Sequence, residues 1–243
     1  MLWIEYAGYK TLRAKHHFDE LNREIEAFVN SKPYTVSKED DLRQNVHIVT
    51  IKFHDVPYKI GVMTGDFAYC MRSALDQLAW QLALTNTPKP FRNTCFPIYS
   101  NNSRCRFEKV TRSIPIGATT IMESLQPYKG GTAPEISALA DLDQLCNTDK
   151  HRIIPIHSLG FQIVAIQPVG KFVRKDLKYG VKMIFPLSEK PNVKFDLQVP
   201  DLVFGDPIDT PGGARFEFPR IRLTEIYDLI CDKVIPRFKR SFE

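Results

Sequence analysis

Residues 66–84 read DFAYCMRSALDQLAWQLAL, and the order of polar and apolar side chains in this stretch decides how the chain folds. At about 100° per residue, Phe67, Met71, Ala74, Leu75, Leu78, Ala79 and Leu82 share one broad apolar arc. Asp66, Tyr69, Ser73, Asp76, Gln77 and Gln81 share the opposite arc, with Arg72 at the seam. The period predicts an amphipathic helix over 66–84 that buries one face in a core and offers the other to polar groups. Thr64, Gly65 and Asp66 read as a turn and N-cap, because a short side-chain oxygen can accept from the free N–H groups of a first helical turn.

Working outward, Phe18, Leu21, Ile25, Phe28 and Val29 give a helical stripe over 12–30, stopped by Asn30-Ser31-Lys32-Pro33. Tyr34–Ser37 and Val46–Phe53 read as strands around a polar turn, Lys38–Asn45, and Tyr58–Met63 as a third strand leading into the central helix. Residues 88–131 are rich in proline and end on Gly130-Gly131, which predicts loops with short helices, one of them around Ile121–Leu125. Pro134 opens a helix over 134–147, whose apolar face is Ile136, Leu139, Ala140, Leu142 and Leu145.

Beyond Ile153 the period changes from helical to alternating. Phe161–Gln167, Lys171–Lys178, Val181–Pro186 and Val193–Val199 predict an antiparallel meander, and Phe216–Ile221 a return to the sheet. Leu223–Arg237 closes the chain as an amphipathic helix. Helices and strands are segregated, so the fold class is α+β: a three-helix core (12–30, 66–84, 134–147), the meander and a C-terminal helix. The length suits a single domain over 1–243, with room for a subdivision into 1–152 and 153–243.

With 43% hydrophobic and 11% aromatic residues the chain can build a real core. Its apolar runs fall far short of the roughly 20 residues that span a bilayer, and MLWIEYAGYK lacks the basic start and apolar stretch of a signal peptide. Neither a membrane nor an exported location is therefore expected. Five cysteines with no C-x-x-C pair fit reduced thiols in a cytoplasm rather than a disulfide framework or zinc site. The net charge of +5 gathers in two places: Arg92, Arg104, Arg106, Lys109 and Arg112 around a lone Glu108, and Lys171, Arg174, Lys175, Lys178 and Lys182 around a lone Asp176. Such clusters either neutralise phosphates or form a solvated surface.

Motifs for dinucleotides, P-loop phosphates, helical zinc sites and serine nucleophiles are absent, and no cofactor or metal is expected. Asp141, Asp143 and Asp149 diverge on a helix, which suits a solvated face, and Asp201, Asp206 and Asp209 suit turns. Two stretches carry chemistry: Arg72–Gln77, and Asn147-Thr148-Asp149-Lys150-His151-Arg152 at a helix exit. His151, flanked by Lys150 and Arg152, is suited to acid–base work on an anion. The same cations also complement the negative end of a helix dipole.

Gly65-Asp66 through Leu78, followed by Asn147–Arg152, resembles a family of uncharacterised bacterial proteins whose helix reads G-D-x-x-H-x-x-R-S-A-L-D-H and whose second motif reads N-x-D-K-H-R. The family's R-x-x-x-x-H spacing is similar to that of HEPN-type ribonucleases, helical toxin and defence domains that act on the RNA backbone without metal. Here Arg72 and Asp76 match, while Tyr69 and Gln77 stand where the pattern has histidines. The resemblance thus implies His151 as the acid–base group and Arg72 beside it. Lys150, Arg152, Gln77, Asp76 and Tyr69 would contact substrate, with RNA or another nucleic acid as the partner. His16 or His17 could take part. Two other readings stand beside it. In one, a non-catalytic interaction module binds a protein partner or a second copy of itself, and Arg72, Asp76 and Asp149 form a structural clamp. The other is a small-molecule enzyme with a pocket between helices and sheet.

Overall fold

The computed structural model describes residues 2–130, 133–151, 156–157, 162–163, 173–177, 180–188, 197–198, 203–204 and 218–242. The chain is α+β, with helices α1 (Leu2–Asn30), α2 (Tyr58–Asn86), α3 (Arg104–Thr111), α4 (Ile116–Ser124), α5 (Pro134–His151) and α6 (Arg220–Asp228). Strands β1 (Tyr34–Asp41) and β2 (Val46–Phe53) lie between α1 and α2. Between α5 and α6 come β3 (Ile156–His157), β4 (Gln162–Ile163), β5 (Val173–Leu177), β6 (Gly180–Pro186), β7 (Leu197–Gln198), β8 (Val203–Phe204) and β9 (Phe218–Pro219). Among the described residues no helix is long and apolar enough to cross a membrane.

The chain forms two compact units, each drawn from separate stretches: 1–22, 61–155 and 219–243 in the first, 23–60 and 156–218 in the second.

In the first unit, all seven residues of the apolar arc predicted for the central helix are fully buried. That face meets α1 through Phe18 and Phe67, whose rings lie 5.6 Å apart. It meets α5 where the Cys146 thiol donates to the Ala68 carbonyl at 3.4 Å. The three predicted helices therefore pack together as their stripes require, since each must bury its apolar face on something.

Several helix boundaries differ from expectation, α1 already starting at Leu2 rather than at 12. Residues 58–63 are not a strand but the first turns of α2. Ile60, Thr64, Phe67 and Met71 are buried at helical spacing, and the short run Tyr58–Met63 was too brief to separate period 2 from period 3.6. Thr64, Gly65 and Asp66 accordingly lie inside the helix and cap nothing. A mid-helix glycine costs about 1 kcal/mol relative to alanine. Here it has a packing reason, because a Cβ on Gly65 would overlap the carboxylate of Asp149. The C-terminal helix is likewise shorter than predicted. After Asp228 the backbone loosens into a π-helical stretch, Leu229–Val234, then tightens into a 3₁₀ stretch, Ile235–Ser241. Pro236 lacks the N–H that an α-helix needs there.

The second unit holds a four-stranded antiparallel sheet in the order β1-β2-β6-β5. Val49 and Ile51 of β2 and Val181, Met183 and Phe185 of β6 form its core, with Tyr34 and Phe53 packed against them. A Cβ on Gly180 would strike the Ile51 carbonyl, so glycine permits the close start of the β2–β6 ladder. β1 runs on to Asp41, beyond the predicted Ser37. It is an exposed edge strand, and its polar residues give no alternating signal. The side chain of Asp41 closes the hairpin by accepting the N–H groups of Arg43 (2.9 Å) and Gln44 (3.1 Å). Of the four strands predicted over 161–199, β4, β5, β6 and β7 are described within them. Residues 164–172 and 189–196 lie outside the described residues.

Candidate functional site

The polar arc of α2 forms the floor of a cleft of about 570 Å³ in the first unit. Tyr69, Arg72, Ser73, Asp76, Gln77, Trp80 and Gln81 line it from the helix, each three or four residues from others in the set, which keeps them on one face. Thr94 and Cys95 line it from the loop after α2, and Cys146, Asp149 and Lys150 from the last turns of α5. Helix α5 runs to His151 rather than stopping at Asn147. Asp149 and Lys150 are therefore held on helical geometry three and four residues beyond Cys146.

The loop wall is fixed by side chains that bond its backbone. Arg72 donates from Nη2 to the Phe96 carbonyl at 2.6 Å, and Asp76 accepts the Phe96 N–H at 3.0 Å. The two charges also pair with each other at 3.2 Å. From the opposite side the fully buried Gln126 donates to the carbonyls of Pro97 (2.8 Å) and Met122 (3.0 Å) and accepts the N–H of Tyr99 (3.1 Å). Phe96 itself is buried, edge-on to Phe238 with centroids 6.0 Å apart. Segment 94–99 thus has no regular secondary structure, yet its polar groups are anchored at both ends.

Not every polar group in the cleft is satisfied. Arg72 Nη1, Gln77 Oε1 and Thr94 Oγ1 are buried and have no hydrogen-bond partner among the described residues. Each belongs to a residue lining the same cleft. A buried group left unpaired costs about 1–3 kcal/mol, so three in one place mark a site where a partner is wanted.

The electrostatics are mixed. Arg72 and Lys150 bring two positive charges, Asp76 and Asp149 two negative ones. Burial and the neighbouring Asp66 both push the Asp149 carboxyl up, although much of the residue is exposed. Burial also pushes Asp143 up, against Arg72, a hydrogen bond from Asn147 and Lys150. The two thiols are inert. Burial pushes Cys146 up to about 12, opposed by Arg72 and Lys150, and raises Cys95 with a contribution from Asp76. Neither is a thiolate nucleophile at neutral pH.

Of the residues singled out from sequence, Tyr69, Arg72, Asp76, Gln77 and Lys150 come together in this cleft. The side chain of His151 and the whole of Arg152 lie outside the described residues. Among the described residues no cluster of three His, Cys, Asp or Glu side chains could hold a metal ion. Asp141 is instead paired with Arg222 at 2.6 Å.

Trp80, Thr94, Cys95 and Cys146 were not anticipated. Trp80 was within reach, standing eleven residues from Tyr69 on the same stripe. Thr94 and Cys95 sit in a loop without periodicity, and nothing local in the sequence marks them. Beyond its own geometry the chain stands apart: no protein-family model, no curated protein and no solved structure matches it.

Proposed function

We propose that this protein acts on nucleic acid, with single-stranded RNA bound in the α2–α5 cleft, as a metal-independent ribonuclease-related protein of the toxin or defence type. The observation that carries the reading is one cleft lined by Arg72, Gln77, Thr94 and Lys150, the first three of which each keep a buried polar atom unmet among the described residues. Tyr69 and Trp80 flank them, both exposed and about 16 Å apart along the helix at about 1.5 Å per residue. Exposed rings on either side of cations are the recognition elements of unstacked single strands, whose bases stack on aromatics while phosphates meet Arg and Lys.

In this reading Arg72 and Lys150 neutralise a phosphate, and Gln77 and Thr94 offer hydrogen bonds to sugar or base. His151 supplies the proton transfer. It takes the proton of a ribose 2′-hydroxyl, whose oxygen attacks the adjacent phosphorus. The bond to the 5′-oxygen breaks, that oxygen is protonated, and a 2′,3′-cyclic phosphate remains.

The test is single-stranded RNA incubated with the protein in EDTA, alongside anisotropy binding across a salt series. Cleavage that is lost in His151→Ala, and binding that weakens with salt, support the proposal. Neither cleavage nor salt-sensitive binding would overturn it.

One observation favours a second reading, a non-catalytic interaction module. The Arg72–Asp76 pair is already committed to holding Phe96, which is what a structural motif does. If Arg72→Ala lowers stability but leaves RNA affinity unchanged, that reading is the better one.

A further inference from the structure

A second cleft, of about 470 Å³, adjoins the first through Thr94 and Cys95, which line both. Its charged lining is wholly basic: Arg92 from the loop, and Arg106 and Lys109 from α3. Arg106 and Lys109 are three residues apart and so share a helical face. Glu108, the one acid in this segment, is turned to Arg104 at 2.8 Å, and Arg112 is stacked on the ring of Phe91. Of the five cations in the segment, two thus have partners, while Arg92, Arg106 and Lys109 converge on a concavity without a counter-charge among the described residues. Like charges held together repel, and a concave wall focuses their field on whatever enters. Tyr99 lines this second cleft: burial raises its phenol, while Arg72 of the first cleft and Arg106 of the second both oppose the rise.

We infer that the Arg92–Arg106–Lys109 cleft is a phosphate-binding subsite that holds the backbone of the same nucleic-acid strand. The identity of the ligand rests on the function proposed above; the anion chemistry does not. A strand seated there passes Thr94 and Cys95 to reach Arg72, so the preferred ligand is an oligonucleotide rather than a mononucleotide.

All three cations are exposed, so the triple variant Arg92→Ala/Arg106→Ala/Lys109→Ala keeps the fold, as an unchanged urea midpoint will verify. Arg106→Gln alone serves if the triple variant does not fold. Two ligands are measured on wild type and variant: sodium tripolyphosphate by calorimetry, and labelled single-stranded RNA by anisotropy across a salt series, as a dinucleotide and as an oligomer long enough to span both clefts. The variant is expected to lose tripolyphosphate binding. Its oligomer salt slope should fall by about 0.7 per lost contact, about 2 in all, with dinucleotide affinity unchanged. Wild type that binds tripolyphosphate through these residues but binds no RNA upholds the subsite and overturns the nucleic-acid reading. A variant that binds oligomer and tripolyphosphate as wild type does, or a wild type that binds neither, overturns the subsite.

Discussion

Arg72 holds Phe96 by its carbonyl at 2.6 Å, across 24 residues of sequence, and Asp76 holds the same residue by its N–H at 3.0 Å. An Arg-x-x-x-Asp pair one helical turn apart grips a single residue's backbone from both sides. The wall of the cleft therefore depends on the two residues that also supply charge to its floor.

Removing either partner leaves a backbone group of Phe96 unpaired, and Arg72→Ala also leaves Asp76 without its cation. Arg72→Ala and Asp76→Ala are expected to lower unfolding free energy by about 1–3 kcal/mol each, read from urea midpoints at constant m. Asp76→Asn keeps an acceptor oxygen for the Phe96 N–H and should lose less than Asp76→Ala. The double variant should cost less than the sum, because both side chains serve one residue's backbone.

Gln126 is fully buried and makes three hydrogen bonds. Gln126→Leu conserves much of its volume but orphans the Tyr99 N–H and the Pro97 carbonyl, at about 1–3 kcal/mol for each buried group. The expected loss thus exceeds that of Asp76→Asn. Equal urea midpoints for Gln126→Leu and wild type would show that the loop does not need this anchor.

A Cβ on Gly65 would overlap the Asp149 carboxylate, so that side chain has to move if one is added. Gly65→Ala is expected to turn the exposed Asp149 side chain aside and, with its better helix propensity, to leave stability equal to or above that of wild type, as urea midpoints will show; a loss rescued by Asp149→Ala in the double variant would mean that the carboxylate is held in place. Asp149→Asn separates charge from size. The folded carboxyl is raised above its ordinary value. The stability it contributes is present in full below the ordinary carboxylate range and is lost as pH rises through the folded value. At neutral pH the charge is therefore a cost, and Asp149→Asn should stabilise slightly, by less than about 1 kcal/mol because the group is partly solvated. The gain should vanish in acid. Denaturation at neutral and acid pH decides between this and a favourable charge.

The alkaline side follows the same rule. Cys146, Cys231 and Tyr227 are all raised to about 12, chiefly by burial. Their ordinary values are 9.0 for the thiols and 10.0 for the phenol. Stability should hold below about pH 9 and fall as pH climbs toward 12, with a slope approaching about 1.4 kcal/mol per pH unit for each group that is ionised only in the unfolded chain. Cys146→Ala, whatever its effect at pH 7, should flatten this alkaline slope. An unchanged slope would mean that the Cys146 thiol ionises as freely in the fold as out of it. With thiol reagents, exposed Cys105 should react well before Cys146.

The helical parts of this architecture were legible because they depend on period. The seven apolar positions of α2 repeat over about four turns, and burial follows them without exception. The site was half legible for the same reason, since its floor is the complementary polar stripe. Its far wall was not, because the loop that carries Thr94 and Cys95 is held by backbone groups: the Phe96 carbonyl accepts from Arg72, and the N–H groups of Phe96 and Tyr99 donate to Asp76 and Gln126. Backbone donors and acceptors look alike in any sequence, so no residue type announces them. Gly65 misled for a related reason. A glycine beside Thr and Asp usually punctuates a helix, and here it makes room for a carboxylate 84 positions later in the chain.

A loop tied by its own peptide groups behaves unlike other loops when it meets heavy water. The amide protons of Phe96 and Tyr99 are donated to side chains of Asp76 and Gln126, and neither can exchange until those bonds open. In mass-resolved exchange, the amides of residues 96 and 99 should take up deuterium on the timescale of the α2 core rather than that of a surface turn. The unmet atoms of Arg72, Gln77 and Thr94 sit against this slow-exchanging frame. A ligand entering the cleft meets a wall that is already held and gives up little entropy to order it.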